Sequence, residues 1–244
     1  MNKKNSIDVC LSPELLHLYS LENTIVVVAD ILRATSCMVT ALASGVKSIV
    51  PVKEIEECRK MKNLGYLIAA ERDGKKVEGF DLGNSPFSYM DSQLKGKTIA
   101  LTTTNGTQAI KLSENAKEVL VGAFLNLATL CKYLENQPYG VLLVCAGWKG
   151  KVNLEDTLFA GAVVETLEKS FIIENDSALI AKMLYQNTKN RLLEVLMQCS
   201  HVQRLKKLGI EKDIEFCLQH NLYQVLPMMQ NGKLVAIDFS QLSA

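Results

Sequence analysis

The sequence has 244 residues, 48% of them hydrophobic and 22% charged, and its 27 lysines and arginines nearly balance 26 aspartates and glutamates, for a formal net charge of +1. This balance lacks the basic excess on which binding to nucleic acids and anionic membranes depends, and no stretch reaches the roughly 18 to 20 consecutive apolar residues of a membrane span. We therefore expect a single compact globular domain, residues 1–244, that binds neither nucleic acid nor membrane.

The N-terminal residues and the cysteines favour a cytoplasmic location. Residues 1–10 carry Asn, Lys, Ser and Asp before any apolar core could form, which predicts no secretory signal. The seven cysteines are scattered and never spaced as Cys-x-x-Cys. This spacing disfavours a zinc site and a disulfide framework, so we expect reduced, buried thiols.

A buried strand and a buried helix are predicted to open the core. Thr24–Ala29 is a continuous β-branched run, typical of a strand that is buried on both faces of a parallel sheet. The uncharged segment 34–45 ends in glycine and predicts a buried helix with Thr35 or Ser36 near its N-cap. A second strand and a charged helix are predicted at residues 48–52 and 54–63.

Strands and helices then alternate through the second half of the chain. Further strands are predicted at 98–103, 118–123, 141–146 and 234–239, and helices at 107–114, 126–135, 154–169 and, broken near Ser200 and Gly209, at 177–226. Alternation of this kind predicts a three-layer α/β/α fold with a mostly parallel sheet and a helical C-terminal region. This alternation fits two similar βαβα lobes, about 1–97 and 98–244, as well as it fits an ordinary α/β chain without a duplication. Between them, residues 70–97 are predicted to form a long irregular loop.

Polar side chains cluster where these strands end, which is where open α/β sheets bind ligands. One cluster is the turn with Thr103, Thr104, Asn105, Gly106 and Thr107. Its hydroxyls and free N–H groups at a helix N-terminus suit a phosphate or sulfonate. The alternative is that Thr104 or Asn105 merely caps the helix and Gly106 allows the tight turn.

Charged residues follow two other strands. Asp30 could bind a hard cation and Arg33 could clamp an anion, or the two could form a simple ion pair. Asn153 and Asp156 resemble a capping box, whereas Glu155 with Asp156 could provide a metal ligand and a base.

His201 is a candidate general acid or base, with a structural histidine as the alternative. The sequence lacks the Walker loop, the Gly-x-Gly-x-x-Gly dinucleotide motif, the Cys-x5-Arg phosphatase loop and the paired aspartates of aspartyl-phosphate phosphatases. With only three histidines, a metal site built from oxygen ligands, hence Mg²⁺, is favoured.

Five segments together resemble the 2-phosphosulfolactate phosphatase family. They span about residues 25–227 and read ADILRATSCMVTAL, AERDGKKVEGFDLGNSP, ALTTTNGT, VCAGWKGKVNLEDTLFAGAVV and SHVQRLKKLGIEKDIEFC. The resemblance implies a Mg²⁺-dependent phosphatase that hydrolyses (R)-2-phospho-3-sulfolactate to 3-sulfolactate and phosphate, as in coenzyme M biosynthesis. The family pattern carries over onto Asp30, Arg33, Glu71, Arg72, Gly79, Asp81, Gly83, Asn84, Ser85, Pro86, residues 102–107, Ala146, Gly147, Glu155, Asp156, His201 and Asp213.

The chemistry of these residues suggests their roles. We expect Asp30, Asp81 and one of Glu155 or Asp156 to bind Mg²⁺. Arg33, Arg72, Ser85 and the turn 103–107 are expected to hold the anionic substrate, with Asp30, Asp156 and His201 as catalytic groups. The alternatives are a phosphatase for another small phosphorylated acid or sugar, and a non-catalytic sensor of such acids.

Two uncharged segments, residues 34–45 and 157–164, bear on the oligomeric state, because they could pack inside the protomer or at a two-fold interface. Most soluble enzymes of this kind are symmetric oligomers, so we expect a homodimer.

Overall fold

The strands build one sheet. The computed structural model describes residues 5–237. The strands within that range are β1 (Ser6–Cys10), β2 (Thr24–Ala29), β3 (Ser48–Pro51), β4 (Leu67–Arg72), β5 (Lys75–Lys76), β6 (Thr98–Thr102), β7 (Glu118–Gly122), β8 (Gly140–Cys145), β9 (Ile172–Ile173), β10 (Leu226–Gln230) and β11 (Lys233–Ile237). Their order across the sheet is β5-β4-β6-β3-β11-β10-β7-β2-β8-β1-β9.

Helices cover both faces of this sheet. They are α1 (Ala34–Ala43), α2 (Ile55–Met61), α3 (Gly106–Leu112), α4 (Leu127–Glu135), α5 (Leu154–Leu167), α6 (Asp176–Thr188), α7 (Leu192–Leu196), α8 (Ser200–Lys206) and α9 (Glu211–Cys217). The predicted three-layer α/β/α class with a mostly parallel sheet is therefore confirmed. No helix within residues 5–237 combines the length and the apolar character that a membrane crossing needs.

The sheet contains two parallel groups of strands joined by an antiparallel hairpin. One group is β7-β2-β8-β1-β9 and the other is β4-β6-β3. The hairpin β10–β11 pairs antiparallel with β7 on one side and with β3 on the other. Strands from residues 5–97 and from residues 98–237 occur in both groups, so the two stretches interleave within one sheet.

The two uncharged segments pack inside the protomer. Residues 34–42 of α1 are buried, and so are residues 157–164 of α5. Gly161 explains how closely α5 approaches α6, because a Cβ there would lie 2.1 Å from the Ala181 carbonyl oxygen. The hydrophobic effect drives the burial of both segments, and small residues allow the close packing.

The structure corrects several predicted elements. β1 and β4 were not predicted, and β4 occupies the start of the segment 70–97 that was expected to be irregular. The strand β10 begins at Leu226, where the predicted helical region ends. β11 confirms the last predicted strand in part, while residues 238 and 239 of that prediction lie outside the described range.

The start of α1 differs from the predicted cap. Thr35 and Ser36 both lie within the helix. The Ala34 N–H instead donates to Asp30 Oδ1 at 3.2 Å, and the Ser36 hydroxyl donates to the Ile31 carbonyl oxygen at 2.8 Å. The helix N-terminus is thus capped by a candidate site residue, because a carboxylate is the stronger acceptor for an N–H at the positive end of a helix.

Candidate active site

A cavity of about 260 Å³ lies where the segments after several strands meet. Polar and charged side chains from distant parts of the sequence line it. They are Asp30 and Arg33 after β2, Glu71 and Asp73 around the end of β4, Thr104 and Asn105 after β6, Trp148 after β8, and His201, Arg204 and Lys207 on or after α8. The ends of β2, β4, β6 and β8 therefore contribute to a single site.

Asp30 lies between the first turns of α1 and α3. Its Oδ1 accepts the Ala34 N–H, and its Oδ2 lies beside Gly106, where an added Cβ would come within 2.9 Å of it. Burial raises the pKa of Asp30 to about 6, although the Ala34 N–H and the charge of His201 act in the opposite direction. No donor among residues 5–237 is bonded to Oδ2, so this oxygen is available to a ligand.

His201 lines the cavity, and Glu155 is bonded to it from behind the wall. Glu155 is 0% exposed, and its Oε1 is bonded to His201 Nδ1. Because an ionised carboxylate only accepts, Nδ1 carries a proton and Nε2 is left to exchange a proton with a bound molecule. The other oxygen, Glu155 Oε2, is buried without a hydrogen-bond partner in the described part of the chain. A buried carboxylate oxygen in this state suits a cation or a donor on a ligand.

Asp156 has a different environment from its neighbour. It is 1% exposed, its Oδ1 accepts the Ile31 N–H at 2.9 Å, and its Oδ2 accepts the Gly147 N–H at 3.0 Å. Burial and the negative charges of Glu155 and Asp30 raise its pKa well above the usual value. Asp156 does not line the cavity. It ties the segment after β2 to the segment after β8 and thereby positions residues that do line it.

The predicted capping box at the start of α5 is wrong. Asn153 occupies the N-cap position without any side-chain capping bond. Its amide nitrogen instead lies 3.3 Å from His201 Nδ1. The carboxylates of the first turn of α5 are used for tertiary contacts, so the polar residues there serve the site rather than the helix end.

Arg33 is buried in an ion pair and still lines the cavity. Its Nη1 pairs with Asp213 Oδ2, and its Nη2 donates to the Gly74 carbonyl oxygen at 3.0 Å. Asp213 Oδ1 accepts the Ser85 hydroxyl at 3.1 Å. Ser85 therefore orients this pair and lies outside the cavity wall, while Arg33 presents a guanidinium that its partners hold in place.

The anion-binding turn divides into structural and accessible residues. Thr103 Oγ1 accepts the Thr107 N–H at 3.2 Å, and Thr107 Oγ1 accepts the Thr103 N–H at 3.1 Å. The alternative cap was expected at Thr104 or Asn105, but Asn105 occupies the N-cap without a side-chain capping bond, and the capping pair is Thr103 with Thr107, both buried. Thr104 and Asn105 line the cavity, and the Thr104 hydroxyl lies 3.4 Å from Glu71 Oε2. Only these two side chains of the turn face a ligand.

Gly106 allows α3 to begin directly against Asp30. An added Cβ would lie 2.7 Å from the Ala34 Cβ and 2.9 Å from Asp30 Oδ2. We expect Gly106→Ala to lower the free energy of unfolding by about 1 to 3 kcal/mol and, by displacing Asp30, to reduce kcat/KM roughly tenfold or more. Urea unfolding and phosphate release measure the two effects.

A matched glycine provides the control. At Gly140 the nearest atom to an added Cβ is the Ser6 carbonyl oxygen at 3.5 Å, an ordinary contact. Gly140→Ala is expected to leave activity unchanged. Wild-type activity in Gly106→Ala would contradict the close approach of α3 to Asp30.

Arg72 and Asp81 are two further predicted site residues that lie outside the cavity wall. Arg72 Nη2 donates to Thr102 Oγ1 at 3.0 Å. Asp81 Oδ1 is 3.0 Å from Lys62 Nζ, and its Oδ2 accepts the Ile68 N–H at 2.9 Å. Partial burial acts to raise the pKa of Asp81, but these donors outweigh it and lower the pKa below its ordinary value. The structure therefore does not place either residue in the wall that Asp30 and His201 line.

Arg204 is a cavity residue that the sequence did not single out. Its guanidinium carbon lies 3.7 Å from the centroid of the Trp148 ring, and its Nη2 is buried without a hydrogen-bond partner among the described residues. Asn84, also in the wall, has a buried Oδ1 in the same state. Spacing could have found Arg204, because His201 lies three residues earlier and i,i+3 residues share a helix face.

Asp30 and Glu155 offer carboxylate oxygens that could help to hold a metal ion. Within residues 5–237, no three or more His, Cys, Asp or Glu side chains are arranged to hold a metal ion by themselves. Mg²⁺, however, often binds through one or two carboxylates together with waters and substrate phosphate oxygens. Asp30 Oδ2 and Glu155 Oε2 both lack a bonded donor in that range, so they fit an ion held in this way.

The family model and the relatives that match this chain all carry the same description. The family model described as 2-phosphosulpholactate phosphatase matches residues 10–232. A probable 2-phosphosulfolactate phosphatase of Thermotoga petrophila is 44% identical over 213 residues, which cover 87% of this chain and 92% of the relative. Proteins of the same description from Caldanaerobacter subterraneus and Clostridium tetani are 42% and 36% identical, over 85% and 93% of this chain and 88% and 98% of their own lengths.

Proposed function

Because the chain belongs to the 2-phosphosulpholactate phosphatase family, we propose that it hydrolyses (R)-2-phospho-3-sulfolactate to 3-sulfolactate and phosphate. The structural observation that carries this proposal is the meeting of Asp30 and His201 in one cavity, with Glu155 bonded to His201 behind its wall. A phosphate monoesterase needs a group that polarises the phosphoryl oxygens and a group that protonates the leaving alkoxide. This cavity supplies residues suited to both.

Charge balance supports a cation at the site. The substrate carries phosphate, sulfonate and carboxylate groups, yet Asp30, Glu71 and Asp73 line the same wall and Glu155 lies behind it. Arg33 is paired with Asp213, and the other cations of the wall, Arg204 and Lys207, do not balance these carboxylates together with a substrate of several negative charges, so a bound cation is favoured. We propose that Asp30 and Glu155 hold Mg²⁺, which would polarise the phosphoryl oxygens and neutralise charge that develops on them.

The residues of the chain then take distinct roles. Thr104 and Asn105 contact the phosphate at the N-terminus of α3, where backbone dipoles favour an anion. Arg33, fixed by Asp213, supplies a charged donor to the same group. His201 Nε2 donates a proton to the ester oxygen as it leaves, while Glu155 holds the ring by Nδ1.

Two alternatives use the same cavity. A phosphatase for another phosphorylated acid or sugar would keep the carboxylates and His201 but not a preference for the sulfonate. A sensor of small sulfonated or phosphorylated acids would need only the donors. The unpartnered Glu155 oxygen favours the hydrolase, because a sensor for anions gains nothing from a buried carboxylate beside its ligand.

The test is phosphate release from 2-phosphosulfolactate by the purified full chain, with MgCl₂ and with EDTA. We expect turnover with Mg²⁺ and a loss of at least about 10²-fold in EDTA that added Mg²⁺ restores. Phosphate release that is insensitive to EDTA would contradict the metal. Binding of 3-sulfolactate without any turnover would favour the sensor, and faster turnover of a sugar phosphate would favour the other phosphatase.

Three further properties belong to the proposal: the cellular location, the pathway and the oligomeric state. We propose that the enzyme works in the cytoplasm, since all seven cysteines are free thiols and most are buried. Formation of sulfolactate for coenzyme M is the pathway that the family implies. The homodimer stays a prediction, which size-exclusion chromatography with light scattering tests.

A further inference from the structure

Arg204 has an unused donor inside the cavity. Its Nη2 is buried without a partner among residues 5–237, although the side chain as a whole is only partly buried. Buried donors are usually bonded, because leaving one unpaired loses the hydrogen bonds that water would have made. The vacant donor therefore points to an acceptor on a ligand.

The surroundings of Arg204 favour a weakly hydrated anion. The guanidinium stacks on Trp148 at 3.7 Å from the ring centroid, and Leu32, Leu205 and Leu208 line the same cavity. Stacking holds the planar group in one orientation, so less side-chain entropy is lost when it binds. A sulfonate is a weak base with diffuse charge. Its desolvation against apolar side chains therefore costs less free energy than that of a phosphate.

Other cations near the cavity already have partners or are solvated. Arg33 is bound to Asp213 and to the Gly74 carbonyl. Lys149 Nζ lies 3.4 Å from Asp73 Oδ1, and Lys207 is exposed. Arg204 is thus the cation of the cavity wall with a buried donor to spare.

We infer that Arg204, held on Trp148, binds the sulfonate of the substrate and sets the preference for sulfonated phosphate esters. The spacing fits, because His201 and Arg204 lie three residues apart on α8 and neighbouring Cβ atoms at this spacing are about 5 to 6 Å apart. With His201 at the ester oxygen on C2, Arg204 reaches the substituent on C3. The inference rests on the proposed function for the identity of the substrate.

The first test compares two substrates that differ only in the sulfonate, 2-phosphosulfolactate and 2-phospholactate. Arg204→Gln is expected to reduce kcat/KM about 10- to 100-fold for the first and less than about threefold for the second, because only the first loses a charge-assisted bond. The control is Arg59→Gln, since Arg59 also stacks on an aromatic ring, that of Phe80, but outside the cavity. Equal losses on both substrates, or no loss on either, would overturn the inference.

The second test does not depend on turnover. Trp148 is the single tryptophan of the chain, so its fluorescence reports ligands at Arg204. We expect 3-sulfolactate to change the emission of the Mg²⁺-loaded protein and lactate not to, with Kd for 3-sulfolactate raised about tenfold or more in Arg204→Gln. Binding that is the same in both proteins would overturn the inference.

The two tests separate the two hypotheses. Sulfolactate binding that depends on Arg204 in a protein without phosphatase activity would refute the proposed function and keep the sulfonate site. Phosphatase activity with no dependence on Arg204 would do the reverse. Should Arg204→Gln melt at a lower temperature than wild type, Arg204→Lys, which keeps the charge but loses the planar fork, is expected to show the same selective loss.

Discussion

Asp30→Asn is expected to lower kcat by about 10² to 10⁴-fold while the protein stays folded. Asn keeps an oxygen for the Ala34 N–H, which Asp30 Oδ1 accepts at 3.2 Å, so the start of α1 is retained. The change replaces Oδ2, the oxygen that is open to the cavity, by an amide that cannot bind a cation. Steady-state phosphate release measures the loss.

The stability of this variant separates a catalytic role from a structural one. The pKa of Asp30 is about 6 in the folded protein, above its ordinary 3.8, so the stability that this group contributes is present below pH 3.8 and is lost as the pH rises through about 6. At pH 7.5 the ionised carboxyl therefore destabilises the metal-free protein. Asp30→Asn should melt at the same temperature as wild type or higher, which is typical of residues kept for activity rather than stability.

The same variant tests the proposed ion without an activity assay. Mg²⁺ should raise the Tm of the wild-type protein at pH 7.5 and should not raise that of Asp30→Asn, because a ligand stabilises only the state that binds it. Glu78→Gln is the control, since Glu78 is exposed in the same part of the chain as Glu71. An equal Mg²⁺ shift in Asp30→Asn would exclude Asp30 as a ligand.

The sequence predicted the central strands well because burial on both faces leaves a clear signal. The predicted and observed bounds of β2 are both Thr24–Ala29, a run of β-branched residues. β4 was missed because it reads LIAAER, and Ala and Glu are poor strand formers. Its pairing with β6 stabilises it, and that partner lies too far along the chain for a local pattern to show.

Neighbours in the sequence take different positions around the site for geometric reasons. Glu71 and Arg72 are consecutive residues of β4, so their side chains point to opposite faces and only Glu71 reaches the cavity. Glu155 and Asp156 are consecutive on α5, where adjacent side chains diverge, and only Glu155 meets His201. A motif tells which residues are near the site, whereas the periodicity of its element tells which of them enter it.

The Glu155–His201 pair should behave as one unit in mutant kinetics. Glu155→Gln and His201→Gln are each expected to lower kcat by about 10² to 10³-fold, because the first replaces the charged acceptor of His201 Nδ1 by a neutral amide and the second removes the proton donor. Glu155→Gln also removes the proposed ligand Oε2, so its effect should be the larger one. The double variant should lose little more than Glu155→Gln alone, since a ring that has lost its charged partner contributes little as a proton donor.

The pair is tested by the additivity of these losses and by the leaving group. His17→Gln is the control, because His17 is exposed and its Nδ1 lies 2.8 Å from the Glu14 carbonyl oxygen, away from the cavity. The phenolate of an aryl phosphate with an acidic phenol leaves without being protonated. His201→Gln should therefore slow hydrolysis of such an aryl phosphate far less than hydrolysis of 2-phosphosulfolactate. Losses that multiply in the double variant, or that are equal for both leaving groups, would contradict the assignment of His201 as a proton donor held by Glu155.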